Sequence, residues 1–350
     1  MPDPAALAAR LREIRPEAFH VVTLPDFFLD HFVRVPAWDR AVPLWKGVHA
    51  QGGGNVPTPH QHFQAGGNAA NTALALARLG VGTHLVTRTS EFGRSVLEGS
   101  LGRAGVDLKH VRADGQLSVT TALEFQEERP ANVMLSDAGS LAEYGPEQLD
   151  ANDWTLLEAA DLVLVANWSQ NRRGTALLEA VAEACRRAGT LVMLDTGDPS
   201  HRREEIAQVR DRLLPLKELD VLAMNENELR QIAGKALAEG EEERAAAGAL
   251  SAQRGGGTLD LHTARFAATW GPMGSAVVPT FRVTPLRVTG AGDAWNAGNA
   301  LGHLAELEPE ERLMLANAVA GLYVSGPEAL APTLADVARF LASRPALHAL

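Results

Sequence analysis

The chain is poor in cysteine, lysine and tyrosine. Its one cysteine, Cys185, excludes an internal disulfide and suits a reducing compartment. Only Lys46, Lys109, Lys217 and Lys235 are lysine, so arginine carries nearly all the positive charge. No apolar run approaches membrane-spanning length. The opening "MPDPAALAARLREIRPEA" is charged throughout and has no signal-peptide core. A cytoplasmic protein is the expectation. Basic residues are outnumbered by acidic ones, for a net charge of −11, which excludes unspecific binding to nucleic acid or an anionic membrane surface. At 350 residues and 46% hydrophobic content, the chain is long enough for one large α/β unit with a small appendage.

From residue 161 onward, short apolar runs alternate with amphipathic stretches. "DLVLVAN", "TLVMLD" and "LDVLAMN" read as buried strands, with helices between them. Such alternation predicts a parallel sheet covered on both faces, a three-layer α/β/α arrangement. "FFLDHFVRV" and "LSVTTALEF" instead alternate or mix apolar with polar residues, as half-buried strands do. Residues 38–64, including "QGGGNVPTPHQHFQ", carry few regular signals and read as a loop.

One stretch asks for a chemical explanation. In "RVTGAGDAWNAG", the small residues Gly290, Ala291 and Gly292 precede a single acid, Asp293, at the mouth of a helix-like run. Free N–H groups and the helix dipole make such a mouth a site for an anion, most naturally a phosphate. The plain reading of Asp293 is a helix cap. The sharper reading is a phosphoryl group in transit, with the acid taking a proton from the attacking hydroxyl. Other nucleotide motifs fail. Trp295 stands where the dinucleotide fingerprint needs its third glycine. Leu229 and Ala236 break a P-loop around Gly234-Lys235.

With "GGNAANTALALARLG" at 66–80 and "TGAGDAWNAG" at 289–298, in that order and spacing, the chain resembles the ribokinase-like, phosphofructokinase-B type family of carbohydrate and nucleoside kinases. The likeness runs from about residue 19 to 343. It implies a single ribokinase-like domain over 1–350, with a mostly parallel sheet and a small β lid from about 28–36 and 116–135. It implies Asp293 as catalytic base, with Gly290, Ala291 and Gly292 donating amides to the γ-phosphoryl group. Asp30, Gly66, Gly67, Asn68 and Asn71 would hold the substrate. Asn225 and Glu228, in "NENE", would organise Mg²⁺ through water, and Thr269, Gly271, Gly274 and Asn317 would attend the nucleotide. ATP and Mg²⁺ are the implied cofactors, and a small-molecule sugar or nucleoside is the implied partner. In relatives the lid face can also pair subunits as a homodimer.

Some positions depart from the family pattern. Arg287 and Val288 replace the usual first two residues before the Gly-Ala-Gly-Asp, which puts activation by a monovalent cation in doubt and offers the Arg287 charge instead. Ser90 stands where a glycine is usual, and the glycine after the first strand is missing. The first expectation is a sugar kinase. A nucleoside kinase is the alternative within the family, and a catalytically silent sugar- or nucleotide-binding sensor is the alternative outside it. A phosphosugar acceptor finds no Arg/Lys cluster beside Asp30 or Gly66; only Arg88 and Arg129 keep it open. His60 and His62 have no evident third ligand and read as part of a loop near the substrate mouth.

Overall fold

The computed structural model describes residues 2–127, 131–328 and 330–350. Fourteen strands follow in chain order: β1 (His20–Leu24), β2 (Phe28–Val35), β3 (Gln61–Gly66), β4 (Gly82–Leu85), β5 (Thr87–Arg88), β6 (Val111–Arg112), β7 (Val119–Phe125), β8 (Ala131–Asp137), β9 (Leu162–Val165), β10 (Leu191–Asp195), β11 (Val221–Asn225), β12 (Thr258–His262), β13 (Phe266–Gly271) and β14 (Gly274–Pro279). Eight of them form one sheet in the order β14-β13-β12-β11-β10-β9-β1-β4. From β4 to β12 every pairing is parallel, and an antiparallel hairpin closes the other edge.

The uninterrupted Leu-Val-Leu-Val of β9 is buried along its whole length, because helices cover both sides of the sheet. Two separate apolar clusters result, one per face. One is centred on Leu76, Leu301 and Leu315, the other on Val163, Leu178 and Leu222. Among the described residues no helix is long and apolar enough to cross a membrane.

A second sheet, in the order β3-β2-β7-β8, stands apart. Its register aligns Gln64, Asp30, Thr120 and Ser136 in one row, and Phe63, His31, Thr121 and Leu135 in the next. Because side chains alternate across a strand, the two rows face opposite ways. Asp30, Thr120 and Ser136 face the cleft described below, while Phe63 and Leu135 are exposed on the outer face.

The loop reading of residues 38–64 is incorrect in two places. Trp38–Ala50 is a helix despite an internal Pro43, and it packs Ala41 against Val33, Val35 and Phe125. Gln61–Gly66 is the edge strand β3. The helix does carry apolar residues at helical spacing, Trp38, Ala41 and Trp45, which pack on Phe125, but Pro43 and the flanking glycines mask it; the strand is short, half Gln and His, and exposed on one edge.

Candidate active site

The carboxyl ends of the parallel strands converge. Asp26 and Asn167 follow β1 and β9, while Asp195, Asn225 and His262 close β10, β11 and β12. Open α/β sheets place ligands at this edge. Two helices point their N-termini at the same place, Asn68–Leu79 and Ala291–Leu304.

The second helix opens as its sequence predicts. Gly290 takes φ +82°, and a Cβ there would run into the Tyr323 hydroxyl, so only glycine fits. The Ala291 N–H folds back to the Val288 carbonyl at 3.1 Å. The N–H groups of Gly290, Gly292 and Asp293 have no acceptor among the described residues, which leaves a cradle of donors at the positive end of the helix. Ala291 therefore does not contribute the free donor expected of it, because its N–H closes the preceding turn.

Asp293 sits in the first turn with only 7% of its surface exposed. Asn71 donates to its Oδ2 at 2.8 Å. Burial first, and then the negative charge of Asp195, pushes the Asp293 carboxyl well above the usual range, while the Asn71 hydrogen bond pulls it back. The i, i+3 spacing that put Asn71 beside Asn68 thus serves the acid on a different helix.

Asp30 enters from the small sheet. Burial, with the nearby Asp26 charge, raises its carboxyl to about 7. A Cβ on Gly66 would overlap that carboxylate, and one on Gly67, where φ is +94°, would lie 2.9 Å from an Asp26 oxygen. The paired glycines make room for two carboxylates. Asp26 in turn accepts from the Asn68 and Ala69 N–H groups at 2.7 and 2.8 Å and from Asn167 Nδ2 at 2.9 Å. A buried carboxylate at a helix N-terminus is well placed electrostatically, and here it anchors that helix to β1 and β9.

Asn225 caps the helix Glu226–Ala233. Its Oδ1 accepts from Asn227 and Glu228 N–H, and Glu228 answers with both oxygens, to Asn225 N at 3.0 Å and Asn225 Nδ2 at 2.8 Å. Glu228 is nonetheless buried at the cleft, and burial together with Asp195 pushes its carboxyl well up. Asp195 accepts from Asn296 Nδ2 at 2.5 Å and Gly197 N at 2.8 Å; burial raises it too.

These groups line a cleft of about 710 Å³ that holds Asp30, Gly67, Asn68, Asn71, Gly290, Gly292 and Asp293 together. A second cavity of about 720 Å³ lies on the other side of the glycine run. It is walled by Phe281, Val283, Pro285, Trp295, Asn317 and Val324. The two share Asn225, His262, Val288 and Gly292, so they meet at the helix mouth. Asn317 accepts from Trp295 Nε1 at 3.0 Å, and His262 stacks on the same indole at 4.7 Å between centroids. Burial drives His262 down to about 4, so it is neutral at pH 7.

Some expected residues lie elsewhere. Thr269 is buried and accepts from Arg312 Nη2 at 2.8 Å, inside an ion-pair network with Asp260. Gly271 and Gly274 form the β13–β14 hairpin, and Gly274, at φ +104°, serves that turn. None of the three lines either cavity of the site. The turn after β12, with Thr263, Ala264 and Arg265, lines the second cavity instead. Trp168 is fully buried and donates to Thr175 at 2.9 Å, a packing role. His60 and His62 line neither cavity, and no group of three metal-ligating side chains occurs among the described residues. Arg88 pairs with Asp114 at 3.0 Å outside the cleft, and Arg129 lies outside the described residues. Sequence reasoning missed the site roles of Asp26, Asp195 and His262. Their only shared signal is a position at or just after the end of a buried strand.

Residues 35–335 match the pfkB family carbohydrate kinase model. The chain belongs to the pfkB family of carbohydrate kinases. It is accordingly an ATP-dependent phosphotransferase of the carbohydrate kinase class. It is 32% identical over 316 residues to an ATP-dependent ribose-1-phosphate kinase of Halopiger xanaduensis, covering 88% of this chain and 96% of that one. It is 28% identical to a ribokinase of Arabidopsis thaliana, over 78% of this chain and 70% of the relative. Among solved structures, an Arabidopsis thaliana ribokinase complexed with ribose and ATP superposes with a TM-score of 0.72 at 22% identity, covering 94% of this chain and 99% of that chain. An adenosine kinase from Sinorhizobium meliloti superposes with a TM-score of 0.71 at 18% identity, covering 92% and 99%. The pfkB kinase fold thus extends over nearly the whole chain.

Proposed function

We propose that this pfkB kinase transfers the γ-phosphoryl group of ATP to a hydroxyl of a ribose-type sugar. The sugar occupies the 710 Å³ cleft under the small sheet, and the nucleotide base the apolar cavity beyond the glycine run. The observation that carries this reading is the position of Asp293. It is a buried, proton-avid carboxylate beside uncommitted N–H groups, lining the first cavity next to Gly292, where the two cavities meet.

Asp30 accepts hydroxyl hydrogen bonds from the sugar, as a carboxylate with two free oxygens can. Asn71 aims Asp293 at the acceptor hydroxyl, and Asp293 takes its proton. The N–H groups of Gly290, Gly292 and Asp293 receive the transferring group's charge, so alignment and electrostatics supply most of the acceleration. The small sheet acts as a lid that keeps out water, the competing acceptor. Asp195, Asp198, Asn225 and Glu228 do not form a direct ligand set, but they line the cleft where a Mg²⁺ arriving with the nucleotide would meet them through its waters. The donors are all hard oxygens, and burial with neighbouring negative charge has driven Asp195 and Glu228 upward, a condition a cation relieves. They would hold it through water, and it would neutralise charge on the phosphates.

A second reading takes ribose 1-phosphate as the acceptor. The 32% identical relative named for that activity favours it. Against it, the cleft is lined by no arginine or lysine among the described residues; His201 and His262 are its only basic side chains. Coupled ADP release over ribose, ribose 1-phosphate, hexoses and nucleosides decides between the two. Turnover on free ribose supports the first reading, and turnover on the phosphosugar alone replaces it with the second. Ligand binding without any ADP release would make the chain a sensor.

A further inference from the structure

Arg287 directly precedes the stretch that forms the anion cradle, and it has no carboxylate partner among the described residues. Its guanidinium instead gathers backbone oxygens. Nη1 donates to the carbonyls of Glu328 at 2.6 Å, Gly326 at 2.7 Å and Tyr323 at 3.3 Å, and Nη2 to that of Pro327 at 3.0 Å. These oxygens belong to the last turn of the helix Pro309–Ser325 and the residues just beyond it. The Tyr323 carbonyl belongs to the negative end of that helix, and the carbonyls of Gly326, Pro327 and Glu328, just past it, converge on the same point, a setting that attracts a cation.

The same helix end also grips the backbone of the segment. The Val324 carbonyl accepts from Leu286 and Arg287 N–H at 2.8 and 3.3 Å, and the Tyr323 hydroxyl donates to the Thr289 carbonyl at 3.0 Å. That hydroxyl abuts the place where Gly290 has no side chain. One turn thus holds Leu286, Arg287 and Thr289 through its own oxygens and the Tyr323 hydroxyl, and those oxygens converge on one positive charge, while the Val288 and Gly290 carbonyls bond forward into the helix Ala291–Leu304.

We propose that Arg287 is a built-in cation. Its guanidinium organises the 323–328 turn, and through that turn the anion cradle, so that the enzyme needs no monovalent metal ion there. Arg287 touches neither substrate nor Asp293 and is a positioning residue. The inference rests on the kinase reading above but has its own test. A bare ring of carbonyls left by a shortened side chain would accept K⁺ or free guanidinium, whereas the wild-type ring is already filled.

The test compares wild type with Arg287→Ala in potassium chloride, guanidinium chloride at low millimolar level, and tetramethylammonium chloride at matched ionic strength. Wild-type kcat should not depend on which cation is present. In Arg287→Ala, kcat in tetramethylammonium should fall roughly tenfold to a hundredfold, less than for outright deletion of an anion-hole donor. The sugar KM should stay within about twofold, and K⁺ or guanidinium should recover most of kcat. K⁺ should also raise the melting temperature of the variant but not of wild type, a readout independent of activity. Wild-type activation by K⁺, or a loss in the variant that neither cation reverses, would overturn the proposal. If the alanine variant does not fold, Arg287→Lys and Arg287→Met serve. The charged variant should keep clearly more kcat, and equal activity would refute the role of charge. If wild type releases no ADP from any sugar, the kinase reading fails, while the K⁺-dependent melting shift still tests the carbonyl ring.

Discussion

The two cavities that meet at Gly292 are near opposites. The one under the small sheet is lined by Asp30, Asp195, Asp198, Glu228 and Asp293, with Asn, Ser and Thr between them. The one beyond the glycine run is walled by Phe281, Val283, Pro285, Trp295 and Val324, and Glu226 is its only carboxylate among the described residues. A polyol offers hydroxyls on every face and suits many acceptors. A planar base offers apolar faces and a few polar edges and suits apolar walls with a few polar side chains among them, here Asn225, Asn227 and Asn317. Burial, helped by neighbouring negative charge, lifts the carboxyls of Asp30, Asp195, Glu228 and Asp293 on the first side, as at sites built to handle protons. The difference separates chemistry and sugar selection from nucleotide binding, and substitutions should respect that divide.

The largest effect is expected at the junction. Asp293→Asn should lower kcat about a thousandfold or more while leaving nucleotide affinity intact. Rapid-quench turnover and nucleotide titration measure the two, and a small loss of kcat would remove the acid from its role. Next, Asn71→Ala should cost about tenfold in kcat by freeing the carboxylate to turn. It should also move the acid limb of the kcat profile to higher pH, because the lost hydrogen bond favours the charged form. Asp30→Asn should raise the sugar KM about tenfold and leave the nucleotide KM alone, since each hydrogen bond to a charged group is worth about 1.5–3 kcal/mol. The same variant tests linkage. Folded Asp30 keeps its proton to about 7, against 3.8 for an ordinary aspartate. The folded state thus binds more protons in that window, and stability falls as pH rises through it. Asp30→Asn should therefore melt a few degrees higher than wild type at pH 8, the gain vanishing toward pH 4. The smallest effect is expected across the divide. Ala320→Phe, which crowds the apolar cavity, should raise the nucleotide KM several-fold and spare the sugar KM. A change in the sugar KM there would show that the two cavities are not separate.

Much of the architecture was legible because it is local. The buried runs at 162–165, 191–195 and 221–225 are continuous hydrophobic segments, and parallel strands under two helical layers require that. The cradle at 290–293 was legible because glycine at a helix start has few other uses. The small sheet was half legible: β2 and β7 show mixed or alternating polarity, while β3 hides in a Gln/His stretch. The glycines of "GPMG" misled for a related reason. Gly274 answers a backbone need, and glycine alone does not say whether a turn or a ligand requires it.

The chain by itself determined the alternation of strands and helices, the bare helix mouth and the acid that follows it, because propensity and periodicity act over a few neighbouring residues. Only the tertiary structure decided what surrounds that acid. Asn71 reaches Asp293 across 222 positions, Asn296 reaches Asp195 across 101, and the Arg287 guanidinium meets carbonyls up to 41 positions away. Burial and repulsion among carboxylates distant in sequence set the proton affinities, and no local pattern records which strand ends will meet.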